Sequence, residues 1–366
     1  MSNSRRISKL FFYLLLLPAV IGVAAWQGWS WWSWATATVV SLDEATTQLS
    51  DEASVQIEIP PGTSAQQIGE DLEAAGLIRS ATAWKVWTRA QHLTNREGGF
   101  QAGTYELSPM DPLGAIADTI WEGDVVQVSI TIPEGWNIQQ MAEYLEAQGL
   151  FPAKDFIAAS QTIPYDEYPW LPENLPHLEG FLFPDTYVLP DPATPDAIVR
   201  QMLTQFEQVA LPIYDEANSP YSLLEWVTLA SIVEKEAVVG DERSLIASVF
   251  ARRLTEGMTL GADPTVEYAL GILQTPDRPL TLRDVNTPSP YNTYLNPGLP
   301  PTPIASPGID SLEASLSPDD TDYLYFVARY DGTHVFSRTL AEHEAAQAEI
   351  QDGLAAQQHS ESGSVN

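Results

Sequence analysis

Val55-Gln56-Ile57-Glu58-Ile59-Pro60-Pro61-Gly62 and Val128-Ser129-Ile130-Thr131-Ile132-Pro133-Glu134-Gly135 follow one pattern. Each alternates apolar, mostly β-branched residues with polar ones and then reaches Pro and Gly. The likeness continues downstream, where Gln66, Gln67, Glu70, Leu72, Glu73, Ala74, Gly76 and Leu77 correspond to Gln139, Gln140, Glu143, Leu145, Glu146, Ala147, Gly149 and Leu150. Alternation of period two is a strand signal. The amphipathic run after the turn, stopping at Gly, is a helix with its C-cap. Two copies do not make a solenoid, which needs three or more. The first copy is expected to open a small module over residues 54–125, closed by a strand around Gly103-Thr104-Tyr105-Glu106-Leu107. The second opens a larger domain over residues 126–354. The fold class expected is α+β.

On the N-terminal side, Arg5, Arg6 and Lys9 precede an apolar stretch, and no charge occurs from Leu10 until Asp43. A hydrocarbon core needs about 20 residues of helix, so residues 10–32 are expected to span a membrane. Trp26, Trp29, Trp31, Trp32 and Trp34 suit the outer interface, and the basic flank of residues 1–9 predicts a cytoplasmic start. A cleaved signal peptide is the competing reading, because Ala35-Thr36-Ala37 resembles a cleavage site. Both readings export the rest of the chain. Residues 33–53 are small and polar and are expected to be a linker.

A chain of 366 residues suggests two modest domains with extensions. The absence of cysteine excludes disulfide frameworks, thiolate metal sites and cysteine nucleophiles. The net charge of -32, from 49 acidic and 17 basic residues, disfavours nucleic acid as a partner. The five histidines are scattered, and neither H-E-x-x-H nor a calcium-loop spacing occurs. No metal and no cofactor are expected.

On the C-terminal side, Pro-rich loops run from Ile163 to Pro176 and from Pro190 to Pro195. Ser222-Leu223-Leu224-Glu225 has the capping-box pattern and starts a helix expected to reach Val239 and stop at Gly240. A second helix is expected from Glu242 to Leu254. Tyr323 to Ala328 and His334-Val335-Phe336 read as strands joined at Asp331-Gly332, a hairpin signal. A last helix is expected over Leu340 to Leu354, before a disordered tail over residues 355–366.

The long helix is almost wholly apolar until Glu234-Lys235-Glu236. At 100° per residue, Glu236 stacks above Leu229, Ile232 and Val233, and Glu234 above Val227 and Ala230. Both carboxylates border the buried stripe, on opposite sides, and helical geometry does not choose between them. Lost hydration raises a carboxyl pKa and prepares a general acid; a helix end simply meeting solvent would look the same. Leu178-Glu179-Gly180-Phe181-Leu182-Phe183-Pro184-Asp185-Thr186-Tyr187 sets aromatic rings beside acids and hydroxyls. That suits sugars, and it equally suits a buried aromatic turn. Gly261-Ala262-Asp263-Pro264-Thr265-Val266 is a third cluster. The fourth runs from Asn286-Thr287-Pro288 through Tyr291-Asn292-Thr293-Tyr294 to Gly298-Leu299-Pro300-Pro301, where turn chemistry alone is a sufficient reading.

Together these clusters resemble the endolytic murein transglycosylase family (MltG, or YceG-like proteins). Ala230-Ser231-Ile232-Val233-Glu234-Lys235-Glu236 looks like that family's catalytic helix. Glu242-Arg243 with Ala247-Ser248-Val249-Phe250 looks like the next one. Asp263-Pro264-Thr265-Val266, Ala305-Ser306-Pro307-Gly308 and Glu179-Gly180 with Pro184-Asp185-Thr186-Tyr187 fit in the family's order. The likeness runs from the membrane segment to about His343, and the first exported segment is similar to the family's LysM-like module.

The resemblance implies a lytic transglycosylase with Glu236 as its catalytic acid. Such an enzyme breaks the bond between N-acetylmuramic acid and N-acetylglucosamine inside a strand and leaves a 1,6-anhydro end. Substrate-binding candidates are Glu179, Asp185, Tyr187, Glu234, Asp263, Tyr291, Asn292 and Tyr294. The resemblance further implies peptidoglycan glycan strands as partner, a single-pass place in the bacterial inner membrane with the catalytic domain outside, a part in ending strand elongation, and penicillin-binding proteins as companions. Gly261 stands where a glutamine is common in that family and Arg252 where an asparagine is common, and neither is assigned a role. Two rivals are a glycoside hydrolase using Glu234 or Asp263 as second carboxylate, and a non-enzymatic wall-binding scaffold.

Overall fold

The computed structural model describes residues 15–40, 54–93, 98–275, 278–329 and 331–363. The expected cytoplasmic start, residues 10–14 of the expected span, residues 41–53 of the linker and the last three residues of the tail lie outside them. The chain divides into two compact units. One holds residues up to Val128 together with Val188–Pro192; the other holds Ser129–Tyr187 and everything from Ala193.

In the first unit, α1 (Leu17–Ala35) begins with a proline in its first turn, where no helical N–H is needed. It passes the expected end at residue 32 because Ser33, Trp34 and Ala35 contain no breaker. Among the described residues no helix is long and apolar enough to cross a membrane. β1 (Val55–Ile59) turns at Gly62 into α2 (Ala65–Ala74), which packs on α3 (Ala81–Leu93). β2 (Gly103–Leu107) returns antiparallel to β1, with Val55 opposite Leu107 and Ile59 opposite Gly103, and α4 (Leu113–Glu122) follows. Alternation turns Val55, Ile57 and Ile59 inward and leaves Gln56 and Glu58 exposed. The core holds Ile68, Leu72, Trp84, Tyr105 and Ile116, all at 1% exposure or less. Each such side chain contributes about 1.5–3 kcal/mol by burial.

The second unit repeats that order. β3 (Gln127–Thr131), whose first two residues fall in the first unit, is followed by α5 (Ile138–Ala147), α6 (Ala153–Ser160) and β4 (Thr186–Pro190), which pairs with β3 and whose last three residues also fall in the first unit. Ser64 and Asn137 cap the two repeat helices by accepting from the N–H groups of Gln67 and Gln140. The second copy differs in the long segment 161–185 between α6 and β4. This segment has no regular element but buries Phe181 and Leu182 completely, with the Phe181 ring against Trp170 and Phe206.

Then come α7 (Pro195–Val209), α8 (Leu211–Glu216) and the buried α9 (Leu223–Glu236). A short 3-10 turn (Gly240–Glu242) leads to α10 (Arg243–Glu256), α11 (Asp263–Leu270), α12 (Leu282–Val285) and α13 (Ile309–Leu316). The capping box at Ser222 forms as the sequence indicates. Trp226 is fully buried beneath α13 and donates its indole N–H to Leu312 O at 2.9 Å. β5 (Tyr325–Ala328) and β6 (His334–Ser337) form an antiparallel hairpin, and α14 (Leu340–Gly363) ends the described chain.

Other boundaries differ from expectation as well, α10 running from Arg243 to Glu256 where Glu242 to Leu254 was expected. α9 stops at Glu236 and not at Val239, because Ala237 is extended (φ -79, ψ 112) ahead of two β-branched valines. The first strand of the hairpin starts at Tyr325 and not at Tyr323. α14 continues to Gly363, through residues expected to be a disordered tail, because the alanines and glutamines after Leu354 favour helix.

Candidate active site

Eight consecutive residues of α9, Trp226 to Val233, are buried, and Glu234, Lys235 and Glu236 form its last turn. The two glutamates meet different surroundings. Glu234 Oε2 accepts from the backbone N–H of Gly308 at 3.1 Å and from the Ser311 hydroxyl at 2.7 Å, both at the start of α13. A helix N-terminus favours a negative charge. The Arg243 guanidinium stands 4.0 Å away and donates to Ser311 Oγ at 3.1 Å. Glu134, from the turn after β3, lies beside this group. Burial, with the charges of Glu234 and Asp310, raises its pKa against the opposing pull of Arg243. The carboxylate of Glu234 is thus occupied in fastening the end of α9 to α13.

Glu236 is half-buried. Burial first, and then the charges of Asp263 and Glu267, push its pKa up to about 8, with Arg253 pulling the other way. The carboxyl therefore holds its proton at neutral pH. Arg253 is fixed by its own bonds, Nε to Leu324 O at 2.6 Å and Nη1 to Leu260 O at 2.5 Å, and stacks 5.2 Å from the ring centre of Tyr325. Asp263, the first residue of α11, accepts from the Tyr294 hydroxyl at 2.6 Å and from Gln274 Nε2 at 3.3 Å. Gly261 has a left-handed backbone (φ +58), and a Cβ there would meet Arg253 Nη1 and the Tyr294 ring at 3.6 Å. The departure from glutamine at this position therefore falls directly beside the groups that surround Glu236.

Glu179 is 3% exposed. It accepts from the N–H of Ile138, the first residue of α5, at 3.0 and 3.3 Å, and from the Tyr268 hydroxyl at 3.2 Å. Burial outweighs these bonds and pushes its pKa up to about 8. It lines a cleft of about 580 Å³ bounded by the start of α5, the end of α6, Lys235 and α11. Pro264 and Glu267 line the same cleft. Lys235 and Pro264, the sequence neighbours of Glu236 and Asp263, are on that lining.

The remaining residues singled out in the sequence fall into two groups. Tyr291 and Asn292 lie close to the site as framework. The Tyr291 ring packs 4.9 Å from that of Tyr268 and its hydroxyl bonds Thr302. The Asn292 amide, 1% exposed, donates to the carbonyls of Val285 and Thr287 and accepts from the N–H of Tyr294. Asp185 and Tyr187 are not brought to the cleft. Asp185 is exposed, accepting from its neighbour Thr186 N–H and from Gln205. Tyr187 is buried with its hydroxyl on Phe183 O at 2.5 Å. The polar atoms of that aromatic cluster close mainly on local backbone, which leaves little for a ligand.

Arg253, Glu267 and Tyr268 were not singled out in the sequence. Glu267 follows Asp263 by one helical turn after a helix-starting proline, a spacing that puts both acids on one face. Arg253 gave no such signal, since its burial comes from residues about 70 positions later. Among the described residues no group of His, Asp and Glu side chains is placed to hold a metal ion.

Comparison with known proteins is consistent along most of the chain. The profile of the YceG-like family matches residues 57–349. A Bacillus subtilis (strain 168) protein named endolytic murein transglycosylase is 36% identical over 310 residues, covering 81% of this chain and 84% of that one. A Streptococcus pneumoniae protein of the same name is 32% identical over 322 residues, and this chain spans 81% of itself and 58% of that longer protein in the match. The crystal structure of a YceG-like protein from Listeria monocytogenes superposes with a TM-score of 0.53 at 33% identity, covering 80% of this chain and 99% of that one. With the family profile spanning the second unit's cleft and both of its glutamate-bearing faces, the chain belongs to the YceG-like family.

Proposed function

We propose that the chain is an endolytic peptidoglycan lytic transglycosylase, with Glu236 as the group that moves the proton. The observation that carries this reading is the half-buried Glu236 carboxyl, its pKa pushed up to about 8 and its neighbour Lys235 on the lining of an open cleft, while Glu234 is fastened to α13. A carboxyl protonated at neutral pH can donate to the leaving oxygen as the C1–O bond of the muramic sugar breaks. The bond electrons stay with that oxygen, which becomes the 4-hydroxyl of the departing N-acetylglucosamine. The carboxylate then takes the proton from the muramic sugar's 6-hydroxyl as that oxygen bonds to C1. The acid is regenerated, no water is consumed, and a 1,6-anhydro ring results. One acid serves both steps, unlike the flanking pair of hydrolases.

The hydrolase alternative needs a second free carboxylate. Glu234 faces α13, and Asp263 already accepts two hydrogen bonds. The scaffold alternative needs no acid of raised pKa at all. Mass spectrometry of glycan strands digested by the wild type and by Glu236→Gln tests the reading. Anhydro-ended fragments are expected from the wild type, and a loss of cleavage of about 10²–10⁴-fold from the variant. Reducing ends would establish hydrolysis, and undiminished release by the variant would remove Glu236 from the chemistry.

The same reading places residues 1–9 in the cytoplasm, residues 10–32 in the inner membrane and the remainder outside. It makes residues 54–125 a LysM-like module, gives the enzyme a role in ending strand elongation and makes penicillin-binding proteins its companions. The basic flank, the uncharged run to Asp43 and the tryptophan cluster support the anchoring.

A further inference from the structure

The end of α1 is built into the first unit. Ala35 is fully buried in that unit's core, and Trp32 packs against the same core. Thr36 O accepts from the Leu113 N–H at the start of α4 at 3.2 Å. Pro109 O accepts from the N–H groups of Val39 and Val40 at 2.9 and 3.1 Å. The chain beyond residue 32, expected to be a linker, is therefore held to the unit as far as Val40. Trp26, Trp29 and Trp34 stay exposed, and the Arg79 guanidinium lies over the Trp34 ring, 5.8 Å from its centre.

Arg79 belongs to a stretch unlike the rest of the chain. From Ala74 to Arg96 there is no acid, yet four of the 17 basic residues of a protein with net charge -32 fall there. α3 lies within it. That helix buries Ala83, Trp84 and Thr88 and exposes Thr82, Lys85, Val86, Arg89 and Ala90. Spacings of three and four put the exposed set on one face. The face carries two bases and a valine, while the exposed acids Glu70, Asp71 and Glu73 stand on the neighbouring α2.

We infer that the outer face of α3, together with Arg79, docks on anionic phospholipid headgroups and lays the first unit against the membrane that α1 enters. This rests on the anchoring reading above. A helix whose last turn sits inside the unit's core gives that unit no slack to leave the interface. A chain this acidic is repelled by an anionic surface unless it turns bases towards it. The contact of Arg79 with Trp34 sets the start of α3 beside the tryptophans that suit the headgroup zone. Each base near such a surface strengthens attachment about fivefold, an effect confined to about 8 Å at physiological salt. The stems of Lys85 and Arg89 and the Val86 side chain supply apolar contact while the charged heads reach the phosphates.

The chain contains no cysteine, so a single introduced thiol reports one position. The test places the full chain in nanodiscs of phosphatidylcholine, with or without three-tenths phosphatidylglycerol. A nitroxide is attached at Val86→Cys or, as the control, at Gln66→Cys on the exposed side of α2. Collision with a water-soluble nickel chelate is expected to be at least about threefold lower at residue 86 than at residue 66 in the anionic discs. The difference is expected to vanish in 1 M salt, where charges are screened within about 3 Å. It is also expected to vanish with the pair Lys85→Glu and Arg89→Glu, both at exposed positions, while the chain still co-elutes with the disc. Equal collision at the two positions, or shielding as strong in pure phosphatidylcholine, would overturn the docking. So would shielding by soluble glycan strands in detergent in place of lipid, which would assign the face to the wall. A chain that fails to co-elute with either disc would overturn the anchoring and the docking together, whereas co-elution with residue 86 open to the chelate removes the docking alone.

Discussion

The two copies of the strand–turn–helix unit are nearly the same locally and differ in what lies against them. Gly62 and Gly135 turn the chain with φ of +82 and +72. Gln66 bonds Glu70 at 2.9 Å, and Gln139 bonds Glu143 at 2.6 Å, on matching turns of the two helices. Both helices close with a leucine N–H, Leu77 to Leu72 O and Leu150 to Leu145 O. In the first copy the start of the helix is sealed: Trp84 lies against Gly69 and donates its indole N–H to Ala65 O at 2.7 Å. In the second copy the helix start is open to a cleft and its first N–H binds a buried carboxyl, Glu179. The buried polar residues follow the same division. Among those described, Thr88 alone lies in the first unit, while Glu179, Ser231, Thr265 and Asn292 lie in the second. One local pattern serves two purposes, and its neighbours decide which.

The comparison breaks most severely at Gly180, which holds the inserted segment of the second copy in place. Its backbone is left-handed (φ +83), and a Cβ would lie 2.4 Å from the Pro303 ring and 3.0 Å from Val227. Neither neighbour can swing aside. Gly180→Ala should cost roughly 2–5 kcal/mol, combining the left-handed penalty with overpacking, and should displace Glu179 next to it. Calorimetric melting is expected to show the second unit's transition fall while the first unit's stays. An unshifted second transition would mean that the segment is not what holds the cleft.

Gly69→Ala probes the sealed copy in the same way. Its Cβ would lie 2.4 Å from Trp84 Cδ1 within a core where Trp84 has no exposure. The cost is roughly 1–3 kcal/mol, confined to the first unit. The matching position in the second copy, Ala142, already carries that methyl group fully buried. Ala142→Gly should instead lose about 1 kcal/mol from helix propensity. Urea midpoints of the two variants read both costs.

The acids of the second unit bring a pH dependence. Activity that needs protonated Glu236 should fall as pH rises through about 8. Arg253→Met, which removes the cation opposing that shift, should move the limb higher. Stability runs with the same sign. A carboxyl whose folded pKa is about 8 and whose unfolded value is ordinary favours the fold most at low pH. That advantage is lost between about pH 4.3 and 8. Glu236→Gln should therefore leave melting unchanged at pH 4 and raise it at pH 8 by at least about 1 kcal/mol, or about 2–4 °C. A variant that melts lower at pH 8 would mean that the carboxylate is stabilised where it sits.

How far the sequence could lead is visible at particular residues. The strands, turns and glycine C-caps of the repeat, and the capping box at Ser222, were legible because period, glycine and cap chemistry are local. The pair Glu234 and Glu236 was not separable, because what separates them is Gly308 and Ser311 on one side and Asp263 and Arg253 on the other. Asp185 and Tyr187 read as sugar contacts because composition does not reveal that a hydroxyl is already bonded four residues back. Arg253 left no local trace. Distance along the chain is the cause for the two glutamates and for Arg253, and an unseen local bond is the cause for Tyr187.

The smallest effect separates the copies most directly. Gln66→Ala and Gln139→Ala each remove one side-chain bond between neighbouring turns of a helix, to Glu70 and to Glu143. Such pairs stabilise by about 0.2–0.5 kcal/mol, so the two variants should melt alike, within about 2 °C of the wild type by the size scaling for units of this length. Gln66 and Glu70 are exposed on a unit whose helix start is sealed, so Gln66→Ala should leave glycan turnover unaltered. Gln139 and Glu143 line the cleft, so Gln139→Ala releases a carboxylate into it and removes an amide from it. Its KM should rise severalfold at constant kcat, with stability equal to that of its counterpart. Equal kinetics for the two variants would mean that the second copy holds its cleft open for some purpose other than the glycan.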